Sequence, residues 1–124
     1  MRSGRWSIQE NAGHLLDLEE LWQDRLEELL SGAKTLRPAD LKNRATHEAG
    51  HNSGTIGQVV AAFRSARLTT VARLEALSDA DLTRVARHPR LDQPMTVVDL
   101  FHFVAEHDDH HLARITEIRR RMGV

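Results

Sequence analysis

Between Ser7 and Gly32, apolar residues recur at helical spacing: Ile8, Ala12, Leu15, Trp22, Leu26 and Leu29, with Leu18 and Leu21 widening the stripe to one side. That period predicts an amphipathic helix. Ser7 stands three residues before Glu10, the capping-box arrangement of a helix start, and Gly32 supplies a stop after Leu29 and Leu30. Residues 33–54 interrupt the pattern with Pro38, Gly50, Gly54 and many polar groups, predicting a connection with at most a short turn at PADL. A second helix is predicted over about residues 55–77, where Ile56, Val59, Val60, Phe63, Val71, Leu74 and Leu77 keep helical spacing. Ser78 and Asp81 predict a short third helix over SDADLTRVA, ended by Pro89 and Pro94. The last predicted helix is long. Thr96 with Asp99 marks its start, Val97, Leu100, Val104, Ile115, Ile118 and Met122 its buried stripe, and the arginines near its end suit the helix dipole. With no strand-like alternation or repeat, the expected class is all-α, a helical bundle in one domain over residues 1–124.

The last stripe also carries chemistry. It steps 97, 100, 104, then 107 and 111, then 115, 118 and 122, so His107 and His111 occupy positions where the pattern calls for hydrophobes. Both should point inward. At about 100° per residue, His110 lies toward the edge of that face and His102 away from it. Two neighbouring buried imidazoles lose solvation without return unless they are hydrogen-bonded or share a cation. One turn apart, they can offer nitrogens to a single Zn²⁺-like ion at about 2.0–2.1 Å. His14 is the natural third ligand, because it flanks the apolar face of the first helix on the side of Leu18 and Leu21. Three histidines leave a coordination position open, as in catalytic rather than sealed sites. The competing reading is a hydrogen-bonded His/Asp network with Asp108 and no metal.

Residues 47–51, HEAGH, have the spacing of a zinc-protease helix, with His47 and His51 as ligands and Glu48 as base. Their support is poor. The stretch NRATHEAGHNSGT offers only Ala45 and Ala49 as apolar backing, includes Gly50 and Gly54, and has Gly57 where an extended motif needs its third ligand. A protease centred on His47 and His51 is therefore the weakest of the metal readings.

Composition narrows the partners. Seventeen Lys and Arg stand against eighteen Asp and Glu, a formal net charge of −1, which lacks the basic excess of a nucleic-acid-binding surface. The absence of cysteine removes disulfides, thiolate nucleophiles and sulfur-ligated metal, so any metal must use histidine and carboxylate. No apolar run has the length of a signal peptide or a membrane span, and the expectation is a soluble cytoplasmic protein with no membrane partner.

The segment WSIQENAGHL resembles the W-S-x-x-E-x-x-x-H-L segment of the DinB-like superfamily of metalloenzymes. HNSGTIGQVVAAFRSAR is similar to that family's middle helix and its lead-in, and RHPRLDQPMTVVDLFHFVAEHDDHHLARI to its final loop and helix, ending in H-x-x-H-H-L-x-x-I. The resemblance implies a four-helix bundle holding a divalent metal on His14, His107 and His111; a three-imidazole site suits several such ions, and zinc is expected ahead of nickel, iron or manganese. It also implies a small-molecule substrate and metal activation of water or of a low-molecular-weight thiol such as bacillithiol or mycothiol, in a transferase or hydrolase reaction. Glu10, Asp108 and His110 border the expected ligands and are candidates for orienting them or moving protons. Members usually carry a helix before the W-S segment, whereas only MRSGR precedes Trp6, so an apolar face is expected to pair in a two-fold homodimer. The alternative to an enzyme is a non-catalytic metal- or ligand-binding bundle.

Overall fold

Three long helices each begin with the reciprocal hydrogen bonds of a capping box, and these fix where the chain turns into each one. The computed structural model describes residues 6–123. Helix α1 (Ile8–Ser31) starts with Ser7 Oγ accepting from Glu10 N at 3.1 Å and Ser7 N donating to Glu10 Oε1 at 3.0 Å. Gly32, at φ +84°, takes the left-handed conformation that ends it. Thr55 with Gln58 opens α3 (Ile56–Glu75), and Thr96 with Asp99 opens α4 (Val97–Met122). A fourth, short helix, α2 (Arg44–Ala49), lies between α1 and α3 and is followed by a 3₁₀ turn at His51–Ser53. The four helices make the all-α bundle expected from the sequence.

Two parts depart from the pattern-based expectation. The connection over residues 33–54 contains α2, six residues with Thr46 as its one buried member, too short for a recognisable apolar period. The helix expected over SDADLTRVA is reduced to one 3₁₀ turn at Asp81–Thr83. The chain then enters strand β1 (Val85–Arg87), which pairs antiparallel with β2 (Pro94–Thr96) in the register Val85 to Thr96 and Arg87 to Pro94. The hairpin has a tertiary cause: Arg87 N donates to Lys34 O (2.8 Å) and Leu36 N to Arg87 O (3.0 Å), so β1 is held from both sides while Ala86 drops into the core. Pro94 sits at the first position of its strand, where a missing N–H is tolerated.

The main core joins Leu21, Trp22, Leu26 and Leu29 of α1 to Leu36, Ala86, Val97, Leu100 and Val104. Trp22 meets Phe103 edge-on at 5.9 Å between centroids. Helix α3 buries little, only Val59 and Thr70, and is tied to its neighbours largely by polar contacts. Arg67 of α3 bridges Glu19 of α1 (2.8 and 3.0 Å) and Asp108 of α4 (2.7 Å), and Thr70 Oγ1 adds a bond to Glu19 at 2.7 Å. Glu19 is only 1 % exposed, and these partners compensate its charge. Among the described residues no helix is long and apolar enough to cross a membrane.

Candidate metal centre

His14 lies on the second turn of α1, and His107 and His111 occupy successive turns of α4 where that helix packs on α1. Each offers a ligand nitrogen, and the three atoms lie within 4.8 Å of one another. Ring centroids are 4.7 Å apart for His14 and His111 and for His107 and His111, and 5.3 Å for His14 and His107. Trp6 covers the group, 5.9 Å from His111 and 4.7 Å from His14, while Trp22 packs edge-on to His107 at 5.7 Å.

Hydrogen bonds fix which nitrogen is available on two of the rings. Asn11 spends its amide protons on the Ser7 and Trp6 carbonyls, so its Oδ1 accepts from His111 Nδ1–H at 2.9 Å. The lone pair of His111 is then on Nε2. Thr46 donates its hydroxyl proton to Asp17 Oδ2 at 2.8 Å and so must accept from His14 Nδ1–H at 3.1 Å, which leaves the His14 lone pair on Nε2 as well. Partners of this kind orient and strengthen metal-binding imidazoles. His107 Nδ1 is buried with no hydrogen-bond partner among the described residues. A buried ring with an unmet nitrogen, contributing a ligand atom within 4.8 Å of those of two oriented imidazoles, fits a shared divalent cation.

Burial, with help from the charges of His111, His107 and His51, pushes the His14 imidazole down to about 3. Burial likewise lowers His111 to about 4, with His107 and His110 acting in the same direction, and it depresses His107. All three rings are therefore neutral near pH 7, the form in which imidazole binds metal.

The other residues singled out in the sequence occupy varied positions. Glu10 is buried at the start of α1, where it accepts from Ser7 N. Asp108 is committed to Arg67. His110 is exposed, its ring 5.1 Å from that of His111. His102 is exposed beside Glu106, as its angle on the helix predicts.

HEAGH is split by Gly50, at φ +64°, so His47 and His51 do not share a helix. His47 is exposed, its ring edge-on to Trp6. His51 donates Nε2–H to Asp17 Oδ2 at 2.8 Å, on the same carboxylate oxygen that receives Thr46. Gln9 Nε2 holds this turn against α1 through the carbonyls of His51 and Gly54. The close approach explains Gly13, since a Cβ there would overlap the His51 ring. Sequence reasoning missed Asn11, Asp17, Thr46 and the actual role of His51. The only available hint was a run of polar residues on the His14 side of α1.

A cavity of about 530 Å³ opens beside His14 and His107, with Leu18, Trp22 and Phe103 as apolar wall and Arg25, His88 and Arg90 also lining it. That size admits a small organic molecule.

Comparison with known proteins agrees with this architecture. Residues 2–115 match the DinB superfamily. A curated Bacillus subtilis (strain 168) protein, "Putative metal-dependent hydrolase YfiT", is 27 % identical over 123 residues, covering 98 % of this chain and 68 % of its own. The solved structure of YfiT from Bacillus subtilis, described as a four-helix bundle of unusual topology, superposes with a TM-score of 0.83 over 98 % of this chain and 70 % of that one.

Proposed function

The chain belongs to the DinB superfamily, and from that premise we propose that it is a metal-dependent enzyme acting on a small molecule, with His14, His107 and His111 as the metal ligands. The observation that carries this reading is that His14 and His111, with their Nε2 lone pairs fixed by the Thr46–Asp17 pair and by Asn11, meet His107 so that one ligand nitrogen from each ring lies within 4.8 Å of the others. A divalent ion, zinc ahead of nickel, iron or manganese, would supply Lewis acidity that lowers the pKa of a water or of a low-molecular-weight thiol. The description of YfiT as a metal-dependent hydrolase supports the water reading.

The protein's own groups do the rest. Neutral rings keep their lone pairs available, and Trp6 and Trp22 shield the cluster from bulk water. His110, exposed beside His111, is the group this reading uses for proton transfer. Glu10 and Asp108 act by holding α1 and α4 in place. A two-fold homodimer covering exposed Val60 and Val71 of α3 and Leu112 of α4 belongs to the same proposal, as does a cytoplasmic location.

Metal content of purified wild type and of His14→Ala, His111→Ala and His51→Ala tests the ligand set. The first two variants should lose the metal and the third should retain it. Full occupancy in the first two with loss in the third would overturn the assignment. Turnover of ester and amide substrates against thiol transfer to an electrophile then separates hydrolase from transferase.

A further inference from the structure

Arg25 is 2 % exposed, yet among the described residues no carboxylate lies within ion-pair distance of it. The contrast with Arg67, met by two carboxylates, is direct. Arg25 Nε donates to the Arg37 carbonyl at 2.9 Å and its guanidinium carbon lies 5.7 Å from the Trp22 ring centre, which uses one of five N–H donors. Burial lowers its pKa, opposed by the field of Glu28. That carboxylate already accepts from Arg37 N. A buried cation without a contacting anion is costly unless something else supplies the charge.

The position of Arg25 says where that anion would lie. Eleven residues separate it from His14 on α1, about 16 Å along the axis and only about 20° around it, so both face the same cavity. Leu18 and Trp22 line the cavity between them. The β-hairpin turn contributes His88 and Arg90 to the same wall. His88 Nδ1 accepts from Arg90 N (3.2 Å) and Leu91 N (3.1 Å), which puts the proton of the neutral ring on Nε2 as a donor. Asp40 also lines the cavity, but its two oxygens accept from Lys42 N and Arg44 N and it pairs with the Arg44 side chain. The uncommitted charge in the cavity is positive.

We propose that this cavity binds the oxyanion end of a small ligand, a carboxylate or a phosphate, through the Arg25 guanidinium, with His88 Nε2–H and Arg90 as further donors. The apolar middle of the ligand lies along Leu18 and Trp22, and its other end reaches His14 and His107. This deepens the functional reading above, which supplies the reacting end; the anion site itself needs no metal.

Calorimetric titration of the full chain, as purified and after chelation, with phenylacetate, neutral phenylacetamide and inorganic phosphate tests it. Phenylacetate should bind about tenfold or more tightly than the amide in both forms, because charge-assisted hydrogen bonds are lost with the charge. Arg25→Gln should erase that preference and Arg90→Gln weaken it, while His102→Ala, at an exposed position of α4 outside the cavity, leaves it unchanged in the chelated protein. Phosphate that displaces phenylacetate identifies a general oxyanion site, and phosphate that does not identifies a carboxylate site; either supports the proposal. Because Arg25→Gln also removes the bond to Arg37 O, the Arg25 Nε–H resonance of wild type gives a second readout, expected to shift with phenylacetate and not with the amide. Equal affinity for acid and amide, or an Arg25 resonance unmoved at saturation, overturns the proposal. Metal retention by the His14 variant would instead overturn the ligand assignment and leave the anion site standing.

Discussion

Thr46→Val is the most informative single substitution, because it removes one oxygen and changes almost no volume. That oxygen accepts from His14 Nδ1–H at 3.1 Å and donates to Asp17 at 2.8 Å, and Thr46 and His14 are both buried. In the variant the buried His14 N–H loses that acceptor, a deficit of about 1–3 kcal/mol. Asp17 is less affected, since it keeps His51. Part of the deficit appears as lower stability of the metal-free protein. The rest appears in metal affinity, because an imidazole freed of its outer partner is less basic and free to turn. Loss of such a partner costs about 10–100-fold in affinity, or about 1.4–2.8 kcal/mol. Competition against a chromophoric chelator measures the affinity, and thermal unfolding of chelated protein measures the stability share. Thr46→Ser keeps the hydroxyl and should stay within about threefold of wild type. If Thr46→Val holds metal as tightly as wild type, or if Thr46→Ser falls equally far, the Nδ1 bond does not set the His14 ring and the tautomer argument fails.

Two further outcomes are expected. Gly13→Ala should lower the urea midpoint despite the better helix propensity of alanine, because the new methyl overlaps the His51 ring and forces it off Asp17, at a cost of about 1–3 kcal/mol. Adding His51→Ala to it should recover stability, and a Gly13→Ala midpoint equal to wild type would count against the packing. Metal-free protein should lose stability as pH falls from about 7 to 5. His14 and His111 stay neutral in the fold down to about 3 and about 4, whereas in the unfolded chain they take up protons below the ordinary 6.5. Their contribution is therefore complete above 6.5 and falls by up to about 1.4 kcal/mol per pH unit for each ring below it. Urea midpoints at several pH values check this, and a flat profile between pH 7 and 5 contradicts it.

Local patterning determined what repeats or caps within a few residues. The capping boxes at Ser7 and Thr96, the stop at Gly32 and the stripe that turns His107 and His111 inward are all set by neighbours three to seven positions apart. The three histidines that meet in space were therefore legible, as was the weakness of HEAGH. Tertiary structure decided what depends on partners far along the chain. Thr46 reaches His14 across 32 positions, Asn11 reaches His111 across 100, and His51 reaches Asp17 across 34. No periodicity marks a single polar side chain whose partner lies on another element. Strand β1 exists because Lys34 and Leu36 flank it, and three residues are too few to carry an alternation. Arg25 reads in the sequence as one more solvated charge on a helix. Only the packed fold buries it, leaves it without a contacting carboxylate among the described residues, and turns it toward the cavity that His14 also lines.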